Sequence, residues 1–425
     1  MTPDRAAELT RQAQATLRAN DRGGYTVPTA GLYPFQWDWD AAVTALGWIT
    51  FDEPRAWEEF RWLLKGQWNG GPQDGLLPHI VFHQRADSYF PGPEEWGLAH
   101  LSPPTSSISQ PPLHATMLRW MFERATDKKL AAERMRELLP AIARHHAWWY
   151  RTRDPQHSGL VMCVHPWETG RDNAPAWDAP LARVPRATRA YRRRDTDHVD
   201  GRQRPTQDFY DRVVKLMDFM RESNFDPAVI AHSCPFRVVD SAVVFILQRA
   251  TLDLLALADT LSIPIDRARL QDAAARTAAA ASRLWSDSLG MHANLDLVSG
   301  ELIEQPVHGG FLAWYANIAV PRQASTLAGW LDEAPFGVPS TRVSADRFEA
   351  QRYWRGPVWQ HMNLLIERGL RDAGESVLAA RVKASSMALF ERTGFNEYYD
   401  PLDGSGLGGT QFSWTAATWL HWQPH

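Results

Sequence analysis

Residues 33–50 read Tyr-Pro-Phe-Gln-Trp-Asp-Trp-Asp-Ala-Ala-Val-Thr-Ala-Leu-Gly-Trp-Ile-Thr. A stretch crowded with aromatic and acidic side chains runs straight into a helical pattern over 39–50, and this succession of loop and helix recurs along the chain. Apolar residues at helical spacing mark 4–20, 39–50, 54–68, 111–126, 129–152, 206–224, 236–260, 264–286, 309–320, 321–333, 357–371, 374–392 and 412–422. Strand signals are few and short, such as Leu77–Phe82 and Met291–Leu297, which disfavours a parallel α/β sheet. The expected fold class is therefore all-α.

Working outward, the helices pair through alternately short and long connections. The long ones, 66–110, 157–207, 335–356 and 394–409, hold most of the Trp, Gly, Pro and acidic residues. Loops longer than about 15 residues inside a compact domain are usually functional. Several with one shared character imply one site at one end of a closed ring of about six helical hairpins. No Gly/Ser-rich linker divides the chain, so a single domain over 1–425 is expected, with loop insertions at about 66–110 and 157–207.

Twenty of the 425 residues are tryptophan, more than core packing requires. The formal net charge is -4, from 45 basic and 49 acidic residues, which leaves no cationic excess to neutralise a phosphate backbone, so nucleic acid is not an expected partner. Cys163 and Cys234 are too few for a disulfide framework and lack metal-ligand spacing. The polar, helical N-terminus lacks the apolar core of a signal peptide, and no apolar run is read as a bilayer span. A cytoplasmic protein with no membrane partner is expected; a homo-oligomer stays open.

Four stretches carry chemistry. In Tyr33–Asp40, Asp38 fits equally well as a stabiliser of the helix N-terminus, whereas Asp40 beside indoles suits a sugar, whose C–H faces stack on aromatic rings while its hydroxyls donate to a carboxylate. In His165–Asp178, Glu168, Asp172 and Asp178 lie among Trp167 and Trp177, the setting for a general acid in a partly desolvated pocket, with an Asx turn as the plain alternative. In Gly394–Trp414, Glu397, Asp400 and Asp403 are the available carboxylates; the glycines do not make a phosphate loop, because the Lys-Ser/Thr ending and a preceding strand are missing. In Tyr353–His361, Trp354 and Trp359 sit five residues apart across a Gly-Pro helix start. Two separated acids and several stacking platforms are the equipment of a glycosidase.

The segments Trp-Glu-Thr-Gly-Arg-Asp-Asn-Ala-Pro (167–175), Tyr-Trp-Arg-Gly-Pro-Val-Trp (353–359) and Asn-Glu-Tyr-Tyr-Asp-Pro (396–401) resemble the signatures of glycoside hydrolase family 63. The resemblance implies an (α/α)6 barrel and an inverting mechanism on α-linked sugars, with Asp172 as general acid, Glu397 as general base and no cofactor or metal. It further implies that Tyr33, Trp37, Asp40, Trp167, Trp354, Trp359 and Gln411 line the sugar subsite. The short chain is similar to the family members that split mannosylglycerate or glucosylglycerate into hexose and glycerate. A glycerate carboxylate needs cationic or hydroxyl donors. Eight arginines fall between 183 and 204, most of them read as a solvated loop. Arg204, six residues before Tyr210, is the expected partner, with His79, Tyr89 and Gln110 as co-donors.

Three other readings stay open: a trehalase-like or other α-glucosidase, a sugar epimerase using His79, His165, His308 and His361 on the same scaffold, and a non-catalytic sugar-binding protein.

Overall fold

The computed structural model describes residues 1–318, 320 and 322–424. Its helices are α1 (Pro3–Asn20), α2 (Asp38–Trp48), α3 (Glu53–Leu64), α4 (Pro93–Trp96), α5 (His114–Arg124), α6 (Lys128–Trp148), α7 (Asp178–Ala182) and α8 (Gln207–Glu222). There follow α9 (Pro227–Ser233), α10 (Ser241–Leu261), α11 (Arg267–Ala280), α12 (Gln323–Glu333), α13 (Gln360–Asp372), α14 (Ser376–Thr393) and α15 (Ser413–Trp422). Six elements touch in a closed cycle: α2, α5, α10, the 3₁₀ segment His308–Ala313, α13 and α15, which returns to α2. Between them in sequence come α1, α3, α6, α11, α12 and α14, which pack on the ring or on one another.

Burial separates the two layers. Every residue of α2 is buried, whereas α1 buries only Leu9, Ala13, Thr16, Leu17 and Asn20, the stripe of a helix with one face in water. Helix starts follow this division only in part, since the inner α10 is capped by Asp240 and the outer α12 and α14 have no side-chain cap. The outer α1, α3, α6 and α11 begin at Thr2, Asp52, Asp127 and Asp266, whose side chains accept from backbone N–H groups of the first turn. The inner α2, α5, α13 and α15 begin at Trp37, Leu113, Trp359 and Phe412, with no side-chain cap. One hydrophobic cluster runs from Leu9 to Trp422.

The expected elements shift in four places. The helix over 309–320 is a 3₁₀ segment ending at Ala313 and followed by turns, because Gly309 and Gly310 weaken a regular helix there; residue 319 of that span, and residue 321 of the next, lie outside the described residues. The pattern over 264–286 breaks at Ala280 into a 3₁₀ turn and a short strand, Trp285–Ser286. The long connections hold α4 and α7, and α9 fills the interval between 224 and 236; periodicity marked none of the three. Finally, α10 is long and apolar enough to cross a membrane, contrary to the reading that no run was; its burial inside the ring accounts for that composition. Strands remain short, among them Ile80–Val81, Met291–His292 and Asn294–Asp296 within the two expected stretches.

Candidate active site

The connections that precede the inner helices converge on one cavity, whose empty space with the open mouth included is about 710 Å³. Asp40 from the first turn of α2, Gln110 just before α5, and Phe412 and Trp414 at the start of α15 face into it.

Asp172 lies just beyond a 3₁₀ turn, Pro166–Thr169. The Thr169 hydroxyl donates to Pro166 O (2.7 Å) and accepts from Arg171 N (3.0 Å), fixing the turn. Gly170 takes φ +67, and a Cβ there would stand 2.7 Å from the Trp39 ring, so only glycine lets the loop pass this close. On one side of Asp172, Arg171 is buried against Asp240 at the start of α10; on the other, Asn173 Oδ1 accepts from Trp354 N (2.9 Å). The Asp172 carboxyl is held by neither. Among the described residues it has no side-chain hydrogen-bond partner, protein surrounds it, and part of it stays open to the cavity. Burial pushes its pKa up to about 8, against the opposing pull of Arg204.

Glu397 sits in the strand Asn396–Tyr399, paired antiparallel with Gly406–Thr410. The register shifts between Asn396 and Tyr398, a bulge that turns the intervening carboxylate toward the cavity. Glu397 Oε1 accepts from Tyr33 Oη (2.8 Å) and Oε2 from Gly409 N (2.9 Å), while Arg204 Nη1 stands 3.6 Å from Oε1. Burial raises this carboxyl above its usual range, and Arg204, the Gly409 amide and Tyr33 hold it back. Arg204 also donates to Asp195 Oδ2 (3.3 Å) and lies over the Tyr353 ring at 4.1 Å.

The other expected residues divide. Tyr33, Trp37, Asp40, His79, Tyr89, Gln110, Trp167, Arg204, Tyr210 and Trp354 line the same cavity as Asp172 and Glu397. Asp40 is pushed well above the carboxylate range by burial and by Glu397. His79, bonded to Ser106 Oγ (2.6 Å) and stacked on Trp167, is held neutral by burial. Two residues fall outside. Trp359 is fully buried behind Trp354, the two indoles stacked at 3.8 Å with an interplanar angle of 1°, so it supports the platform without forming its surface. Gln411 is exposed at the turn entering α15, with φ 49, and does not line the cavity. Trp177 is buried as well, donating to Arg171 O (2.9 Å). Of the four histidines weighed for an epimerase, His79 alone lines this cavity.

Neighbouring carboxylates are occupied elsewhere: Asp38 with His114, Glu168 with Arg153, Asp178 with Arg347 and Arg355, Asp400 with Gln351. All eight arginines of 183–204 face a carboxylate, most of them an aspartate of the same region, so the segment is a chain of ion pairs and not a free basic loop. Asp195, Arg194, Tyr353, Trp39 and Trp414 line the cavity without having been expected there. The signal for Asp195 was an acid directly following three consecutive arginines. Burial alone would raise its carboxyl, but bonds from Arg193 and Arg204 hold it below its usual range.

The family model described as the mannosylglycerate hydrolase MGH1-like glycoside hydrolase domain matches residues 33–415. A mannosylglycerate hydrolase of Thermus thermophilus is 45% identical over 417 residues, 97% of this chain and 99% of that protein. A crystal structure of GH63 mannosylglycerate hydrolase from Thermus thermophilus, in complex with Tris and D-glycerate, matches with a TM-score of 0.93 at 45% identity, covering 97% of this chain and 99% of that one. A glucosylglycerate hydrolase of Mycolicibacterium hassiacum is 30% identical over 439 residues, 98% of this chain and 97% of that protein. The matched span takes in every inner element from α2 to the first three residues of α15 and all the cavity's carboxylates, and the chain accordingly belongs to the MGH1-like glycoside hydrolases of family 63.

Proposed function

We propose that this glycoside hydrolase cleaves a small anionic α-glycoside, 2-O-α-mannosylglycerate or its glucosyl counterpart, to hexose and glycerate with inversion, in an (α/α)6 barrel whose ring is the closed cycle of inner elements. The observation that carries the reading is the contrast between two carboxyls on one cavity. Asp172 has no side-chain hydrogen-bond partner among the described residues, and burial favours its protonated form; Glu397 accepts from two donors and faces the Arg204 guanidinium, which favour its charged form.

Asp172 gives its proton to the glycosidic oxygen as the bond to the anomeric carbon breaks. Glu397 takes a proton from a water on the opposite ring face, and that water's oxygen bonds to the anomeric carbon. Trp37, Trp167 and Trp354 offer faces for the sugar ring, and Asp40 accepts from its hydroxyls. Tyr89, Tyr210, Gln110 and Arg204 receive the glycerate. The 45% and 30% relatives, named for mannosylglycerate and glucosylglycerate, support this substrate class. Two buried free cysteines support a reducing compartment, the cytoplasm.

The test is hydrolysis of mannosylglycerate, glucosylglycerate, trehalose and kojibiose, with the first-formed anomer read by NMR. Release of glycerate with a β-hexose is expected. An α-hexose product would refute inversion, and preference for trehalose would make the chain an α-glucosidase instead.

A further inference from the structure

The ion pairs of 183–204 leave one arginine underused. Arg192 holds Asp197 through Nη2 at 3.1 Å. Arg193 bonds both oxygens of Asp195, donates to Pro205 O, and covers the Tyr210 ring at 3.9 Å. Arg194, by contrast, has no side-chain hydrogen bond among the described residues; its acid is Asp197, with Nη1 3.7 Å from an oxygen that Arg192 already holds. Arg194 lines the cavity beside Ser88 and Tyr89 and also lines the wider groove outside, near Phe90 and Tyr191. It therefore stands at the mouth with donors to spare.

The cavity's charge makes this position consequential. Arg204, the other cation in the lining, stands between Glu397 and Asp195, which Arg193 also pairs, so these two guanidinium groups are already matched by two acids. A carboxylate entering on the leaving group shares Arg204 with these acids and needs a further cation that is less fully paired. We propose that Arg194 is a specificity-determining cation for the carboxylate of the leaving group, turning from Asp197 to the substrate when it enters. The proposal rests on the acidic aglycone put forward above. Leaving Asp197 costs little, because that pair is long and partly exposed and Arg192 keeps the aspartate paired. In return Arg194 gains a planar, bidentate match to a carboxylate.

The test compares the parent with Arg194→Ala and Arg194→Lys on mannosylglycerate and on uncharged mannosylglycerol, and measures inhibition by D-glycerate. Arg194→Ala should raise KM for mannosylglycerate and the D-glycerate inhibition constant by roughly ten- to hundredfold, with a much smaller change for mannosylglycerol. Lysine should recover part of the loss, since it keeps the charge but not the fork. Equal losses on the charged and neutral substrates, or unchanged glycerate inhibition, would overturn the proposal. A parent that cleaves neither hexosylglycerate sinks the substrate reading separately. Calorimetry with D-glycerate then decides Arg194 alone: binding that Arg194→Ala abolishes upholds it, and a parent that does not bind glycerate refutes it.

Discussion

Asp172 and Glu397 differ in their surroundings before any substrate arrives, and the difference assigns a direction to each limb of the pH profile. Asp172 must be protonated to act as acid, so kcat/KM should fall as pH rises through about 8. Glu397 must be ionised to act as base, so activity should fall on the acid side, at a pH above the usual carboxylate range because burial raises that group. Asp172→Asn should lower kcat by about a hundred- to ten-thousandfold on a glycerate leaving group and abolish the alkaline limb. Near-normal turnover in that variant would remove Asp172 from the reaction. The same burial makes a stability prediction. An unfolded Asp carboxyl titrates near ~4 and the folded one near about 8. Between those values the folded state holds a proton that the unfolded state lacks, so this group's contribution to stability is lost as pH rises through the window. Asparagine never ionises, and the melting temperature of Asp172→Asn relative to the parent should therefore climb from pH 4 to pH 8. The two acid-bearing segments were legible from their aromatic company, but the choice of Asp172 over Glu168 and Asp178, and of Glu397 over Asp400 and Asp403, rested on the resemblance alone. Tyr353, which lines the cavity unexpectedly, has a positive φ, and composition does not encode such backbone geometry.

At the scale of the element, the hairpin of Asn396–Tyr399 and Gly406–Thr410 works as a holder for one carboxylate. Gly408 takes φ +68, and a Cβ on it would stand 2.4 Å from Glu397 Oε2, while the next amide, Gly409 N, is the donor to that same oxygen. Gly408→Ala should cost about 1–2 kcal/mol of stability for the left-handed backbone. The displacement of Glu397 should cost more: a drop in kcat of roughly a hundredfold or greater. Thermal melts set beside steady-state kinetics check this, and parallel, modest losses in both would show that the base tolerates the shift. The glycine richness of 404–409 was visible in the sequence, but which glycine abuts the carboxylate depends on the bulge, and register is a matter of cross-strand pairing. Helices show the same division. Continuous periodicity located α1, α2 and α14 to within a residue or two, whereas the inner segment at 308–313 kept an apolar pattern and lost regular helix at Gly309-Gly310. There, packing inside the ring does the work that helix propensity does elsewhere.

For the whole molecule, what matters is how the ring closes, because the chain's first and last helices form the seam and the site straddles it. Tyr33 belongs to the opening connection and Glu397 to the last, and their 2.8 Å bond spans 364 positions of sequence. The seam is secured below the site by Asn20, buried at the end of α1, whose Nδ2 donates to Pro28 O (3.3 Å), Gln411 O (2.9 Å) and Ser413 Oγ (2.9 Å). Ser413 in turn donates through its backbone N to Pro28 O (2.9 Å) and through its hydroxyl to Val27 O (2.8 Å). Nothing in the sequence marks Asn20, since two of its three partners lie at the other end of the chain. Asn20→Ala removes three hydrogen bonds across the seam, with Pro28 O keeping the one from Ser413 N, and should cost about 1–3 kcal/mol, measured as a lower denaturant midpoint. Its second effect is diagnostic. A loosened seam weakens the bond from Tyr33 to Glu397, which is one of the contacts that lower the Glu397 pKa, so the acid limb of kcat/KM should move to higher pH. A fall in stability with the acid limb unmoved would mean that Asn20 holds the ring together without bearing on the base.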